Sequence, residues 1–186
     1  MKLRSILQLD AWLSDQMRVA EKPGALRAIA VFFAHSGDSW FWVPALIIAW
    51  FYSNSFWREW EAVVFLCISL LVVVVMSIKF LVRRRRPEGE WGGIYRNTDP
   101  HSFPSGHAAR SFLIATLALG LVPGWLAFPL CFWAPLVAMA RVAMGVHYVS
   151  DVVAGAAIGI VCGLIGLQIY EPTFIWLSNL IGFSFW

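Results

Sequence analysis

The sequence predicts an all-α fold, a polytopic membrane helix bundle of about five transmembrane helices behind an N-terminal amphipathic interfacial helix. Three observations predict it. Hydrophobic residues make up 60% of the 186 and charged residues 13%, where a soluble domain carries roughly 25% charged. The mean hydropathy is +0.70. The charges gather at the ends of apolar runs, and several of those runs approach the roughly 20 residues needed to cross a bilayer. One domain, 1–186, is expected: an amphipathic segment 1–24, a transmembrane core 25–170, and an apolar tail 171–186.

Residues 1–24 set Leu3, Ile6, Leu7, Leu9, Trp12, Leu13 and Met17 against Lys2, Arg4, Asp10, Asp15 and Arg18 at near-helical spacing. That pattern suits a helix lying on the bilayer, ended by Pro23-Gly24. Charges throughout Met1 to Ala20 leave no continuous apolar core, so no cleavable signal peptide is expected. Residues 25–35 are apolar but too short to span, and His35-Ser36-Gly37-Asp38 interrupts them. His35 is expected to be structural or interfacial.

Trp40 to Tyr52 reads as a short first span. Glu61 to about Val82 is the clearest span and ends at Lys79 and Arg83-Arg84-Arg85-Arg86-Pro87. Arg83, Arg84 and Arg85 read as ordinary basic flanks of that span. The loop 88–103 is polar and glycine-rich, and Asp99 and His101 are expected to shape the entrance of the site. The third span covers about 104–122, with Pro123-Gly124 turning the chain into a fourth from Trp125 to about Met144. Gly145-Val146-His147-Tyr148 leads into a fifth from about Val149 to Tyr170, whose glycines and alanines let membrane helices approach closely. The tail fits an interfacial position. The eleven tryptophans suit interfacial belts or simple packing. Cys67, Cys131 and Cys162 lie in apolar runs without metal-site spacing, so apolar packing and no disulfide are expected. The net charge of +3 reports loop orientation, and no nucleic-acid partner is expected.

Tracing the spans brings three polar clusters to one face. The second span ends there with Lys79 and Arg86, the third begins there with Ser105 and His107, and the fourth returns Arg141 to it. His147 and Asp151 open the fifth span on the same side. Ionisable residues so placed mark function. Lys79, Arg86 and Arg141 supply fixed positive charge, and arginine forks match paired phosphate oxygens. Pro104 suits a first helical turn, and Ser105 with the backbone around Gly106 offers N–H donors at a helix N-terminus. Pro-Ser-Gly alone also occurs in ordinary turns; the flanking clusters favour the anion site. His147 and Asp151, spaced i,i+4, share a helix face, so the carboxylate can hold one ring nitrogen and leave the other as nucleophile or base. His107 can act as general acid. No carboxylate cluster suggests a divalent metal, so metal-independent catalysis without a cofactor is expected.

The pattern Lys79-(six residues)-Arg86-Pro87, Pro104-Ser105-Gly106-His107 and Arg141-(five residues)-His147-(three residues)-Asp151 resembles the type-2 phosphatidic acid phosphatase family. That family includes lipid phosphate phosphatases, bacterial undecaprenyl-pyrophosphate phosphatases and phosphatidylglycerophosphate phosphatases, and shares its site with soluble acid phosphatases and vanadium haloperoxidases. The resemblance runs from Lys79 to Asp151. It implies that His147 forms a phosphohistidine, Asp151 orients it and His107 protonates the leaving oxygen. Lys79, Arg86, Ser105, Gly106 and Arg141 would form the phosphate cradle, and the substrate would be a lipid phosphate monoester or pyrophosphate in the bilayer. Ala140 stands where the family often has serine, which removes one hydroxyl donor. Six-span bacterial relatives also carry a span before the region of Leu9-Asp10, where this chain has only the amphipathic stretch.

A lipid-linked phosphotransferase would use the same phosphohistidine with a hydroxyl acceptor in place of water. A small transporter is the non-enzymatic alternative, against which stand the clusters at span ends and the lack of an inverted repeat. With five spans the N-terminus and the site share a side. Lys2, Arg4, Arg18, Lys22, Arg27, Arg83, Arg84, Arg85, Arg96 and Arg110 then lie on that side, with Arg58 on the other. The positive-inside rule places that side in the cytoplasm of a bacterial inner-membrane protein, whereas relatives that recycle carrier lipids carry their site on the outer face.

Overall fold

The computed structural model describes residues 2–89, 91 and 99–181. The described residues form seven α-helices and no strand: α1 (Lys2–Gln16), α2 (Ala25–Ser36), α3 (Ser39–Tyr52), α4 (Ser55–Val82), α5 (Gly106–Leu121), α6 (Gly124–Ala143) and α7 (Val149–Ile181). An isolated antiparallel bridge joins Arg85 and His101. Three helices are long and apolar enough to cross a membrane: Ser55–Val82, Gly124–Ala143 and Val149–Pro172 of α7. α2, α3 and α5 are shorter apolar helices. At 1.5 Å per residue, α3 with 14 residues and α5 with 16 reach about 21 and about 24 Å, short of a roughly 30 Å hydrocarbon core.

Several boundaries differ from the sequence expectation. α4 begins at Ser55 because Asn54 caps it, its side chain accepting from the Trp57 N–H at 3.2 Å. α7 continues past Tyr170 to Ile181, since Pro172 interrupts one hydrogen bond without ending the helix. Residues 25–36 are helical, so α1, α2 and α3 all precede the first long helix, α4. Residues 92–98 of the polar loop and 182–186 of the tail lie outside the described residues.

The closest packing is between α5 and α7. Gly155, Gly159 and Gly163 fall four residues apart on one ridge of α7, and a Cβ at Gly155 or Gly159 would meet the carbonyl oxygen of Ser105 or Ala109. Bare backbone at these positions lets α7 lie directly on α5. That contact carries the first turn of α5 to the first turn of α7, where the Ser105 N–H donates to the Asp151 carbonyl at 2.9 Å. Leu113, Ile114 and Leu117 of α5 pack with Val63, Val64, Cys67 and Leu71 of α4 in the main core.

Several tryptophans pack on one another. Trp57, Trp60 and Trp125 cluster at the end of the bundle away from Lys79, with ring centroids 6.1 to 6.5 Å apart. Trp42 and Trp133 instead pack on each other inside it.

α1 is fastened to the bundle by polar contacts that amphipathicity does not require. Asp10 Oδ1 accepts from the Ser150 N–H at 2.9 Å, and Ser14 Oγ accepts from the Val149 N–H at 2.9 Å. Both serve N–H groups that open α7 and have no partner within that helix.

The α5–α7 contact makes a specific demand. Gly159→Ala places a methyl on the Ala109 backbone and is expected to destabilise by about 2 kcal/mol. Thermal unfolding in detergent checks this, with Ala157→Leu on the exposed face of α7 as a variant expected to unfold as the parent does.

Candidate active site

The site lies where α4, α5 and α7 begin or end on one face. Lys79 occupies the last turn of α4, and its amine donates to Asp99 Oδ2 and to the His101 carbonyl, each at 2.7 Å. Arg86, on the segment that follows, donates from Nε to the Asp99 carbonyl at 2.7 Å. Its two terminal nitrogens reach the Val146 carbonyl and Asp99 Oδ2, each at 2.8 Å. Arg141 sits in the last turn of α6, is 1% exposed, and reaches the Ala34 carbonyl at 3.5 Å. Ser105 is the N-cap of α5, its hydroxyl accepting from the Ala108 N–H at 3.4 Å. Gly106 follows on the cavity wall.

His147 lies in the turn before α7, in the break that the sequence places at 145–148, so it and Asp151 do not share a helix face as their spacing suggested. Gly145 makes that turn with a left-handed φ of +66°, open to glycine at little cost. Asp151 Oδ2 then accepts from the Tyr148 N–H at 2.8 Å, capping α7. His147 Nε2 is 3.2 Å from an Arg86 terminal nitrogen. Its Nδ1 is 3.6 Å from Asp151 Oδ2 and buried without a hydrogen-bond partner. This assigns the proton to Nδ1 and a lone pair to Nε2. Burial holds the imidazole well below its ordinary pKa, and the charges of Arg86, Arg141 and Lys79 act in the same direction. His147 is therefore neutral at neutral pH.

Lys79, Arg86, Gly106, His107, Arg141 and His147 line one cavity of about 160 Å³, together with Asp99 and Arg110. Its remaining wall is apolar, formed by α4 from Ile68 to Met76. Ser105 and Asp151 stand behind the cavity and hold its walls. Thus all eight candidate residues gather in one place.

Four further residues belong to the same network. Asp99 lines the cavity, where one carboxylate oxygen, Oδ2, accepts from both Lys79 and Arg86, as an anionic phosphate oxygen would. Burial alone would raise that carboxyl, but the Lys79 hydrogen bond and the Lys79 and Arg86 charges outweigh it and hold it below its usual value.

Arg84 is not a plain flank. It donates to Asp151 Oδ1 at 2.8 Å, Ser150 Oγ at 2.6 Å and Asp10 Oδ2 at 2.6 Å, and stacks 4.0 Å over the Tyr148 ring. Arg83 and Arg85 are exposed. Arg83, Arg84 and Arg85 read alike in sequence; the chain leaves α4 through a left-handed C-cap at Arg83 (φ 50°), and of the three only Arg84 turns inward.

Asp38, in the α2–α3 connector, accepts from two rings: its Oδ1 is 2.5 Å from His107 Nε2 and its Oδ2 is 2.9 Å from His35 Nδ1. Burial would raise its carboxyl, but the bonds to His107 and His35 outweigh it and the carboxyl stays below its ordinary range. Arg110, one helical turn after His107, is the fourth. The spacing His107 to Arg110 could have revealed it; nothing local could have linked Asp38 to His107.

Fold and site together define a helical protein with a cationic, two-histidine cavity at the end of apolar helices. The chain belongs to the PAP2 superfamily, whose family model matches residues 58–174. Decaprenylphosphoryl-5-phosphoribose phosphatase of Mycobacterium tuberculosis is 40% identical over 93 residues, 50% of this chain and 51% of that protein. The chain thus spans about half the length of that relative. A probable lipid phosphate phosphatase beta of Arabidopsis thaliana is 27% identical over 88% of this chain and 89% of its own length. Among solved structures, Aquifex aeolicus LpxE matches with a TM-score of 0.67 and 29% identity, covering 87% of this chain and 94% of that one. A PAP2-type phosphatidylglycerolphosphate phosphatase from Bacillus subtilis matches with a TM-score of 0.72 at 22% identity, over 90% and 87% of the two chains. The second likeness concerns the fold alone.

Proposed function

We propose that this protein is a membrane-embedded lipid phosphatase that hydrolyses a lipid phosphate monoester or diphosphate through a phosphohistidine, without a metal. One observation carries the reading. Lys79, Arg86 and Arg141, from three separate segments, converge with the Nε2 lone pair of His147 on a single cavity. In this reading the three cations and the donors around Ser105 and Gly106 bind the phosphoryl oxygens. A neutral His147 attacks phosphorus, and Asp151 balances the charge that develops on its ring. His107 protonates the departing oxygen. Asp99 yields the cations to the substrate phosphate.

The lipid class is supported by the apolar wall of α4. A second cavity of about 350 Å³ between α3 and α4 shares Ile68, Val72 and Arg110 with the site. An acyl or prenyl chain fits there while its phosphate sits among the cations. The relatives named for lipid phosphates and undecaprenyl diphosphate agree with this class.

His147→Ala is expected to abolish phosphate release from a lipid phosphate in detergent. His107→Ala is expected to be severe, and milder where the leaving group is a phosphate or phenolate. EDTA is expected to leave the rate unchanged and vanadate to inhibit, since vanadate mimics the trigonal phosphoryl group. Near-parental turnover by His147→Ala, or loss in EDTA reversed by magnesium, contradicts the reading.

Five crossings, by α3 to α7, go with this proposal, in a multi-pass protein of the cell membrane. Support comes from α2 and the segment before it: Ala20, Ala30 and Ala34 pack with Ala140, Met144 and Val146 beside the site. The Val19 N–H also bonds the Ala143 carbonyl at 2.9 Å. α1 and α2 therefore stay on the site's side, and the basic residues there point to the cytoplasm. A single cysteine placed at 88–100 in a cysteine-free variant is expected to escape an impermeant maleimide in intact cells. Strong labelling from outside would reverse the assignment.

A further inference from the structure

We infer that Asp38 is a positioning residue for His107, fixing which ring nitrogen meets the substrate and balancing the charge of its imidazolium. The inference rests on the phosphatase reading above, in which His107 is the proton donor. With Nε2 held by Asp38 Oδ1 at 2.5 Å, the proton on that nitrogen faces the carboxylate. Nδ1 is left as the nitrogen that serves the reaction. His107 shares its cavity with Arg110 and Arg141, so a cationic ring there sits among like charges. The Asp38 carboxylate, in contact with the ring, is opposite in sign to them.

The carboxylate is itself fixed. His35 Nδ1 holds its second oxygen at 2.9 Å. The connector is pinned at Ser36, whose carbonyl accepts from Trp42 Nε1 at 3.0 Å and whose hydroxyl accepts from Trp133 Nε1 at 2.8 Å. Gly37 brings bare backbone against the ring: a Cβ there would stand 3.3 Å from His107 Cδ2 and 3.0 Å from Val137 Cγ1. Such support from outside the reacting shell holds a catalytic group in one orientation.

The His147 Nε2 lone pair forms a P–N bond as the P–O bond to the lipid alcohol breaks. The departing oxygen keeps that electron pair and takes the Nδ1 proton of the His107 imidazolium, leaving His107 neutral. Water then bonds phosphorus and gives a proton to His107 Nδ1. The P–N pair returns to His147, and inorganic phosphate leaves. Asp38 stays a carboxylate throughout.

The test compares the purified full chain with Asp38→Asn, His107→Ala, the double variant and His147→Ala. Each is assayed on a long-chain alkyl phosphate and on p-nitrophenyl phosphate. A positioning role predicts that Asp38→Asn lowers kcat on the alkyl phosphate by about 10²-fold, with little change in KM, and much less on the aryl phosphate, whose leaving group needs no proton. The double variant should be no slower than His107→Ala. Equal losses on both substrates, a double variant slowed by the product of the single effects, or a change confined to KM each overturn the inference. If Asp38→Asn does not fold, His35→Phe decides: a loss of about tenfold confined to the alkyl phosphate supports the inference, and equal rates on both substrates overturn it. Retained turnover by His147→Ala overturns the phosphatase reading itself, whatever Asp38 does.

Discussion

Burying a lysine ammonium and two guanidiniums at the end of an apolar helix bundle is unfavourable unless anions or carbonyl dipoles meet them. Here Lys79 and Arg86 are 3% exposed and Arg141 1%. The surrounding backbone is arranged around that requirement: the carbonyls of His101, Asp99, Val146 and Ala34 all turn toward the cations. The Asp99 carboxylate completes the coordination of Lys79 and Arg86. In the proposed reading, that internal carboxylate gives way to the phosphate of a substrate.

The rest of the fold holds those charges in register. The glycine ridge of α7 presses the first turn of α5 onto Asp151, so the N-cap at Ser105 and the carboxylate behind His147 are fixed by one contact. α1 adds a second clamp, with Asp10 joining the Ser150 N–H and Arg84. Asp151 is thereby held by Arg84 and by the Tyr148 N–H, and faces His147 without being free to swing away.

The charged motifs were legible because a bilayer protein tolerates few ionisable residues and these stood out at span ends. Lys79, Arg86, His107, Arg141, His147 and Asp151 could be assigned to one face by counting crossings. The α7 glycines were legible as a packing ridge. Asp38, Asp10 and Arg84 were not, each for a physical reason. Asp38 and Asp10 act across 69 and 140 residues of sequence, and no periodicity encodes such pairings. Arg84 looks identical to Arg83 and Arg85 in sequence, and of the three only it turns inward. Helix ends shifted where a cap or a tolerated proline decided them, as at Asn54 and Pro172.

The central claim is that His147 carries the phosphoryl group. Rapid acid-free quenching of the enzyme with a ³²P-labelled lipid phosphate tests it most directly. The account predicts a labelled protein whose phosphate survives alkali and is lost in mild acid, mapped to His147 and missing from His147→Ala. Label that survives acid on a serine, or label retained in His147→Ala, contradicts it.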